Sequence, residues 1–368
     1  MTSNIFIPWA RPDYWGNEKS YVLAALASTW ISGGEFVDRL EKDFANFNDV
    51  PYALSASNGT TALHMAYLAL NLQPGDEVVV PGFAFLAAAN LALHMKVKPV
   101  FAEVDPATWC LRAADVEKCL SRRTRAIVPV HTYGNVCDMD EIIALANSHH
   151  IPVVEDSAEA FASRYKHRMA GSMGLLGSFS FQATKTITTG EGGMVVTRNQ
   201  GLLARMALYR NHGMLRKRHY WHELAGHNFR LTNLQAAIGC AQLERIDEII
   251  RERQRVHAQY QMILKDTPGV TLQRFLPEVQ PVLWAMAVKL DPLAYPQGRD
   301  VVLEQMKQVQ IESRPGFVSP SFMKHLYACP ELPVCEDLSR QVISLPSYPT
   351  IRDDQVQRIC AELMRLRK

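Results

Sequence analysis

Several biases that mark special classes of protein are missing from this 368-residue chain. The seven cysteines (Cys110, Cys119, Cys137, Cys240, Cys329, Cys335 and Cys360) are odd in number, and none stands in a Cys-x-x-Cys spacing. No disulfide framework or structural zinc site is therefore expected, and a reducing cytoplasm is the default compartment. An excess of one charge is also missing. Thirty-nine Lys and Arg against 37 Asp and Glu leave a formal charge of +2, too small for a nucleic-acid surface or a polybasic membrane anchor. The most apolar stretch, Phe83 to Met95, is broken by Asn90 and His94 and is shorter than a membrane span. Met1 to Tyr14 carries Asn4, Trp9, Arg11 and Asp13 where a secretion signal would need an apolar core. No repeat or low-complexity tract interrupts the chain. The expectation is a soluble cytoplasmic protein with no metal, no membrane contact and no nucleic-acid partner.

What is present is an ordinary globular composition, 48% hydrophobic and 21% charged, at a length that suits one large two-lobed enzyme. From about 60 to 200, helical and extended runs alternate. Glu77–Pro81, Lys98–Val104, Arg125–Val130 and Ile151–Glu155 are short, continuously apolar strands. Helical runs over Thr61–Leu70, Phe85–His94, Ala114–Leu120 and Met139–His149 separate them. Such alternation predicts a mostly parallel sheet covered on both faces. Two more strands, Gly177–Phe181 and Gly193–Thr197, flank a Gly-rich turn. Leu234–Leu264 reads as one long helix with Leu243, Ile246, Ile249 and Ile250 on one face. A helix near Asp300–Val309 and a last one over Asp353–Arg367 complete a smaller C-terminal lobe. The expected division is 1–245 for the large lobe with the N-terminal segment, and 246–368 for the small one.

The chemistry-bearing residues fall where open α/β sheets bind ligands, beyond the carboxyl ends of strands. Asp156 ends the strand Ile151–Glu155. Lys185 follows a strand by four residues and precedes the turn Gly190–Gly193. Ser57-Asn-Gly59-Thr60 opens the first strong helix, so its N–H groups form an anion site. An anion site, a carboxylate at a strand end and a lysine in a Gly-bounded turn are what pyridoxal phosphate requires. Its phosphate needs donors, its ring nitrogen needs a carboxylate, and its aldehyde needs an amine. Phe85, just after Pro81-Gly82, can stack on the ring. Taken singly, each residue has a plainer reading: a solvated lysine, a capping aspartate, a turn glycine, a core phenylalanine. Their order along the chain is what sets them apart.

Ser57-Asn-Gly-Thr-Thr-Ala-Leu-His64, Val154-Glu-Asp156-Ser-Ala-Glu159-Ala-Phe161, Phe179–Phe181 with Lys185–Met194, and Gly226-His-Asn228-Phe-Arg230-Leu-Thr-Asn233 resemble the DegT/StrS-type sugar-nucleotide aminotransferases. The resemblance runs over nearly the whole chain, with Ser28-Thr-Trp30-Ile-Ser32 and Val130-His-Thr-Tyr-Gly134 included. It implies fold type I, with a mostly parallel seven-stranded sheet in a large lobe and a smaller C-terminal α/β lobe. It also implies a homodimer with shared active sites. By motif position, Lys185 is the lysine that bonds the cofactor and shuttles protons, and Asp156 is the partner of the ring nitrogen. Gly59, Thr60 and Ser180 match the phosphate cradle, and Asn228 matches the residue that reaches the phosphate from the other subunit. Phe85 takes the stacking position, and Glu159 stands near the ring hydroxyl where many relatives have Gln.

A related group that removes a sugar hydroxyl has His at the lysine position, so Lys185 favours transamination. The implied substrates are L-glutamate and a nucleoside-diphosphate keto sugar. Trp30 with Ser32, Thr186-Ile187 and Tyr220-Trp-His222 most resemble enzymes that aminate 4-keto-6-deoxy sugars, the GDP-perosamine-forming ones ahead of the dTDP-viosamine-forming ones. Arg314, in Ile311-Glu-Ser-Arg-Pro-Gly-Phe317, is the expected ligand of sugar or phosphate oxygens. After Phe317 the chain departs from these groups, reading Val318-Ser-Pro-Ser-Phe-Met323 where a Pro-x-His is usual. That segment either shapes the acceptor pocket or is a surface loop that varies freely. A catalytically silent member of the fold would have lost Lys185 or Asp156. An enzyme of amino acids alone, with two arginines for two carboxylates, stays open on sequence.

Overall fold

The computed structural model describes residues 5–215, 217–326 and 329–368. Seven strands build the main sheet of the large lobe: β1 (Tyr52–Ala56), β2 (Glu77–Pro81), β3 (Lys98–Ala102), β4 (Thr124–Ile127), β5 (Val154–Asp156), β6 (Leu176–Ser180) and β7 (Gly193–Thr197). The pairings β1–β7–β6–β5 and β4–β2–β3 are joined by parallel bridges from Ile127 to Val153 and from Val130 to Asp156. The result is one sheet in the order β1–β7–β6–β5–β4–β2–β3, with β7 antiparallel and the rest parallel. This is the mostly parallel seven-stranded sheet expected. Strands buried on both faces read as continuous apolar runs, and all five residues of β2 and of β7 are buried.

Helices cover both faces. On one side lie α1 (Glu18–Ala27) and α2 (Glu35–Phe47), packed on a helix that supplies small buried residues, Asn233–Glu244. On the other lie α3 (Gly59–Ala69) and α4 (Ala87–His94), whereas α5 (Met139–Ser148) packs on Val79, Ile127 and Val153, on the same face as α1 and α2. The α4 helix starts two residues later than the sequence predicts, because residues 82–86 turn at the end of β2 before the helix begins.

The long helix expected over Leu234–Leu264 is two helices. Asn233–Glu244 ends at Arg245 (φ −105°, ψ 15°), and Ile246–Leu264 leaves in a new direction. The first is buried almost all round among α1 and α2, whereas the second buries one stripe, with Val256, Tyr260 and Leu264 in the core of the small lobe. One straight axis cannot satisfy both packings, so the helix breaks between them. The small lobe is a four-stranded antiparallel sheet in the order Val270–Leu272, Met286–Leu290, Val342–Leu345, Arg314–Pro315. It is backed by Arg299–Gln308 and Asp353–Arg365. Ile7, fully buried, belongs to this small-lobe core and exchanges backbone hydrogen bonds with Gln310 and Glu312 at 2.9 Å each. In return, Val279–Gln280 pairs with Arg164–Tyr165 of the large lobe. Among the described residues no helix is long and apolar enough to cross a membrane.

Candidate active site

A cavity of about 780 Å³ opens between the lobes at the carboxyl ends of the parallel strands. Its floor begins at α3. The Asn58 side chain accepts the Thr61 N–H at 2.8 Å while the Thr61 hydroxyl accepts the Asn58 N–H at 3.1 Å, a capping box that fixes the first turn. Gly59 and Thr60 line the cavity at this helix start, with Ser180 from the end of β6 beside them. Glycine is required here because a Cβ at position 59 would stand 2.7 Å from the Ser180 Cβ. The contact brings a hydroxyl and a helix N-terminus to one place, an arrangement suited to phosphate.

On the next wall, Asp156 ends β5, buried at 6% exposure, and its Oδ1 accepts the Ala158 N–H at 3.1 Å. Among the described residues it forms no salt bridge. Burial raises its carboxyl above the usual aspartate range, although the Ala158 N–H and the Lys185 charge pull the other way. Glu159, also buried, accepts the Tyr133 N–H at 2.8 Å, and burial likewise holds its carboxyl high. Lys185 faces both: burial pushes its ammonium down, against the attraction of Glu159 and Asp156. A buried carboxylate without a cation of its own, an amine softened by desolvation, and an anion site across a roomy cavity fit pyridoxal phosphate.

Beneath these groups lies a supporting layer. Glu155, fully buried, accepts N–H bonds from Gly171 (2.8 Å), Met173 (2.7 Å) and Gly174 (2.5 Å), and its Oε2 lies 2.9 Å from His131 Nε2. His131 Nδ1 accepts the Cys137 N–H at 3.3 Å, which leaves Nε2 to donate to Glu155. The His131 N–H in turn donates to the Asp156 carbonyl at 3.1 Å, tying the Asp156 backbone to the strand beside it.

The cavity thus gathers Lys185, Asp156, Glu159, Gly59, Thr60, Ser180, Phe85 and Arg314. Phe85 is 63% exposed, with its ring centroid 6.4 Å from that of Phe317. Arg314 lies over the Trp9 ring, 4.3 Å from its centroid. Trp30, Ser32 and Asn228 do not line the cavity of this chain. Trp30 is 71% exposed, held by its carbonyl to Asn233 Nδ2 at 2.8 Å, and Ser32 and Asn228 also lie on the surface. The segment after Phe317 lies at two places. Phe317 lines the Lys185 cavity, but Val318 and Phe322 line a separate surface cleft with Arg299 and Arg340. Neither of those two side chains lines the Lys185 cavity of this chain, in keeping with a surface loop.

Sequence reasoning missed an aromatic wall. Tyr133 stacks on Phe317 (5.0 Å, 10°) and on Trp284 (6.2 Å, 13°), and Trp9 meets Trp284 edge-on at 5.5 Å. Tyr133 has φ 59°, a left-handed conformation uncommon for an aromatic residue and held here by its N–H bond to Glu159. No local pattern marks Trp9 or Trp284, since each reaches the site from another lobe or from the N-terminus.

The doubly covered sheet, the small lobe and the lysine–carboxylate cleft define a fold-type-I enzyme of the pyridoxal phosphate class. The chain belongs to the DegT/DnrJ/EryC1/StrS aminotransferase family, which matches residues 13–364. It is 40% identical over 360 residues to the GDP-perosamine synthase of Caulobacter vibrioides, covering 96% of each chain. It is 38% identical to the GDP-perosamine synthase of Escherichia coli O157:H7, covering 97% of this chain and 98% of that one. Among solved structures, the aminotransferase TlmJ from Streptoalloteichus hindustanus superposes with a TM-score of 0.93 at 28% identity, covering 98% of both chains. DesI, solved in the presence of its TDP-sugar product, superposes with a TM-score of 0.91 at 30% identity, covering 98% of this chain and 92% of that one.

Proposed function

We propose that this aminotransferase moves the amino group of L-glutamate to the 4-keto carbon of a GDP-linked 4-keto-6-deoxy sugar, in the cytoplasm, for a cell-surface polysaccharide. The observation that carries the reading is the gathering of Lys185, Asp156 and Glu159 on one side of a cleft whose other side is the start of α3 with Ser180. Two GDP-perosamine synthases at 40% and 38% identity over nearly full length support the acceptor. A spore coat polysaccharide biosynthesis protein of Bacillus subtilis, 32% identical over 370 residues, supports the destination.

Gly59, Thr60 and Ser180 would hold the phosphate of pyridoxal phosphate, and Asp156 would keep its ring nitrogen protonated. Glu159 would meet the ring hydroxyl, and Phe85 would cover one ring face. Bound there, pyridoxal phosphate supplies the electron sink for cleavage of a carbon–hydrogen bond. Lys185 Nζ removes the proton from the glutamate α-carbon and, in the second half-reaction, delivers one to the former carbonyl carbon of the sugar. Arg314 at the cleft mouth binds the oxygens of the nucleotide sugar. Asn228, Trp30 and Ser32, all exposed here, complete the site of a second copy of the chain in a homodimer. A dTDP-linked acceptor is the second reading, favoured by the likeness to DesI with its TDP-sugar product. The test is a panel of GDP-, dTDP- and UDP-linked 4-keto-6-deoxyhexoses with glutamate. The GDP sugar should show the highest kcat/KM; turnover of the dTDP sugar alone selects the second reading, and turnover of none refutes both.

A further inference from the structure

One contact at the site belongs to none of these roles. Lys185 Nζ lies 3.6 Å from the centroid of the Trp284 ring, on the indole face. The ring is fixed from every side. Its Nε1–H donates to the Thr184 carbonyl at 2.9 Å, its main-chain N–H donates to the Tyr133 carbonyl at 3.1 Å, one face neighbours Tyr133, and Trp9 meets it edge-on. The turn that carries Lys185 is fixed to the same place. Arg253 is buried in the Ile246–Leu264 helix and, among the described residues, forms no salt bridge, with only the charge of Asp13 acting on it. It donates to the carbonyls of Leu283 (3.0 Å), Trp284 (3.2 Å) and Lys185 (3.3 Å). A buried arginine whose two terminal nitrogens donate to three carbonyls of two segments, its Nε left unpartnered, is a clamp.

We propose that Trp284 is a positioning residue that seats the free amine of Lys185, with Arg253 clamping the two backbones on which the seat depends. The inference rests on the reading of Lys185 as the cofactor lysine. Whenever Lys185 is not bonded to pyridoxal phosphate, its four-carbon side chain with free rotamers would leave its working position unless something seats the amine. An indole face attracts an ammonium by its quadrupole, most strongly where water is excluded. It offers no lone pair to take the proton, so the amine keeps its capacity to act as a base. The charged and titratable groups around Lys185 are Asp156 at the end of β5, Glu159 after it, Glu191 before β7, Arg253 from the helix, Arg314 from the small-lobe sheet and Tyr133 behind the indole.

The test uses the full-length chain freed of cofactor. Lys185 is labelled competitively with acetic anhydride across pH, read by peptide mass spectrometry and normalised to the exposed Lys265. Trp284→Leu and Trp284→Met remove the π face and keep apolar bulk. In both, the midpoint of Lys185 labelling should fall by about one pH unit, whereas Trp284→Phe should stay within about half that shift. Unchanged midpoints in the Leu and Met variants, or an equal shift in the Phe variant, overturn the proposal. A second measurement leaves Trp284 in place: the pH-dependent near-UV circular dichroism of the parent chain should be lost in Lys185→Met. If parent and Lys185→Met titrate alike, the amine is not seated on an indole. Neither readout involves a substrate, so failure of the acceptor reading would leave both results intact.

Discussion

Replacing Gly59 by Ala tests the anion site with a single methyl group. The new Cβ would meet the Ser180 Cβ at 2.7 Å, its Oγ at 3.0 Å and its Cα at 3.3 Å. Rotating the Ser180 side chain relieves only the hydroxyl, because the Cβ and Cα belong to β6. The α3 start must therefore move by roughly an ångström, at an overpacking cost of about 1–3 kcal/mol. Alanine is otherwise comfortable in a helix first turn, and the Asn58–Thr61 capping box holds its shape, so the fold should survive. The same displacement moves the Gly59 and Thr60 amides away from Ser180. Losing one charge-assisted hydrogen bond to phosphate costs about 1.5–3 kcal/mol, or roughly ten- to a hundredfold in affinity. The assay is titration of the cofactor-free chain with pyridoxal phosphate and, separately, with pyridoxal, which lacks the phosphate. Affinity for the first should fall ten- to a hundredfold while affinity for the second changes less than about threefold. Equal loss for both ligands, or none for either, would refute the assignment of α3 and Ser180 to the phosphate.

Lys185→Ala should abolish turnover and the borohydride-sensitive visible band; normal turnover in that variant sinks the Lys185 assignment. Asp156→Asn retains an acceptor for the Ala158 N–H and should stay folded, while the glutamate half-reaction followed by stopped-flow absorbance slows by about two orders of magnitude or more. A rate within threefold of the parent would make Asp156 a cap only. Arg314→Ala should raise KM for the nucleotide sugar about tenfold and leave the glutamate half-reaction unchanged, whereas equal damage to both would assign Arg314 to the fold. Mixed dimers of Lys185→Ala and Asn228→Asp should regain part of the parent activity, since one of the two shared sites then carries neither change. No recovery after proven subunit exchange, followed by mass spectrometry, would refute a shared site.

The sequence by itself determined the parts whose cause is local. Continuous β-branched runs such as Val78-Val79-Val80 dictate a strand buried on both faces, and Asn58-Gly59-Thr60-Thr61 writes its own helix start. Lys185 and Asp156 stand out in the sequence by their positions after strands, and the fold brings both to one cavity. What lies between distant segments was decided only by the tertiary structure. The direction of β7 is set by its pairing with β1, a strand that ends 137 residues before it begins, and no periodicity reports that partner. The break at Arg245 comes from two lobes pulling one apolar helix toward different cores. Trp284 lies 99 positions from the lysine it touches, and Arg253 holds the pair from a third segment. Such contacts arise from the closure of one lobe on the other, where burial and desolvation fix the energies of charge and aromatic face. Neither quantity is a property of a residue in its local sequence.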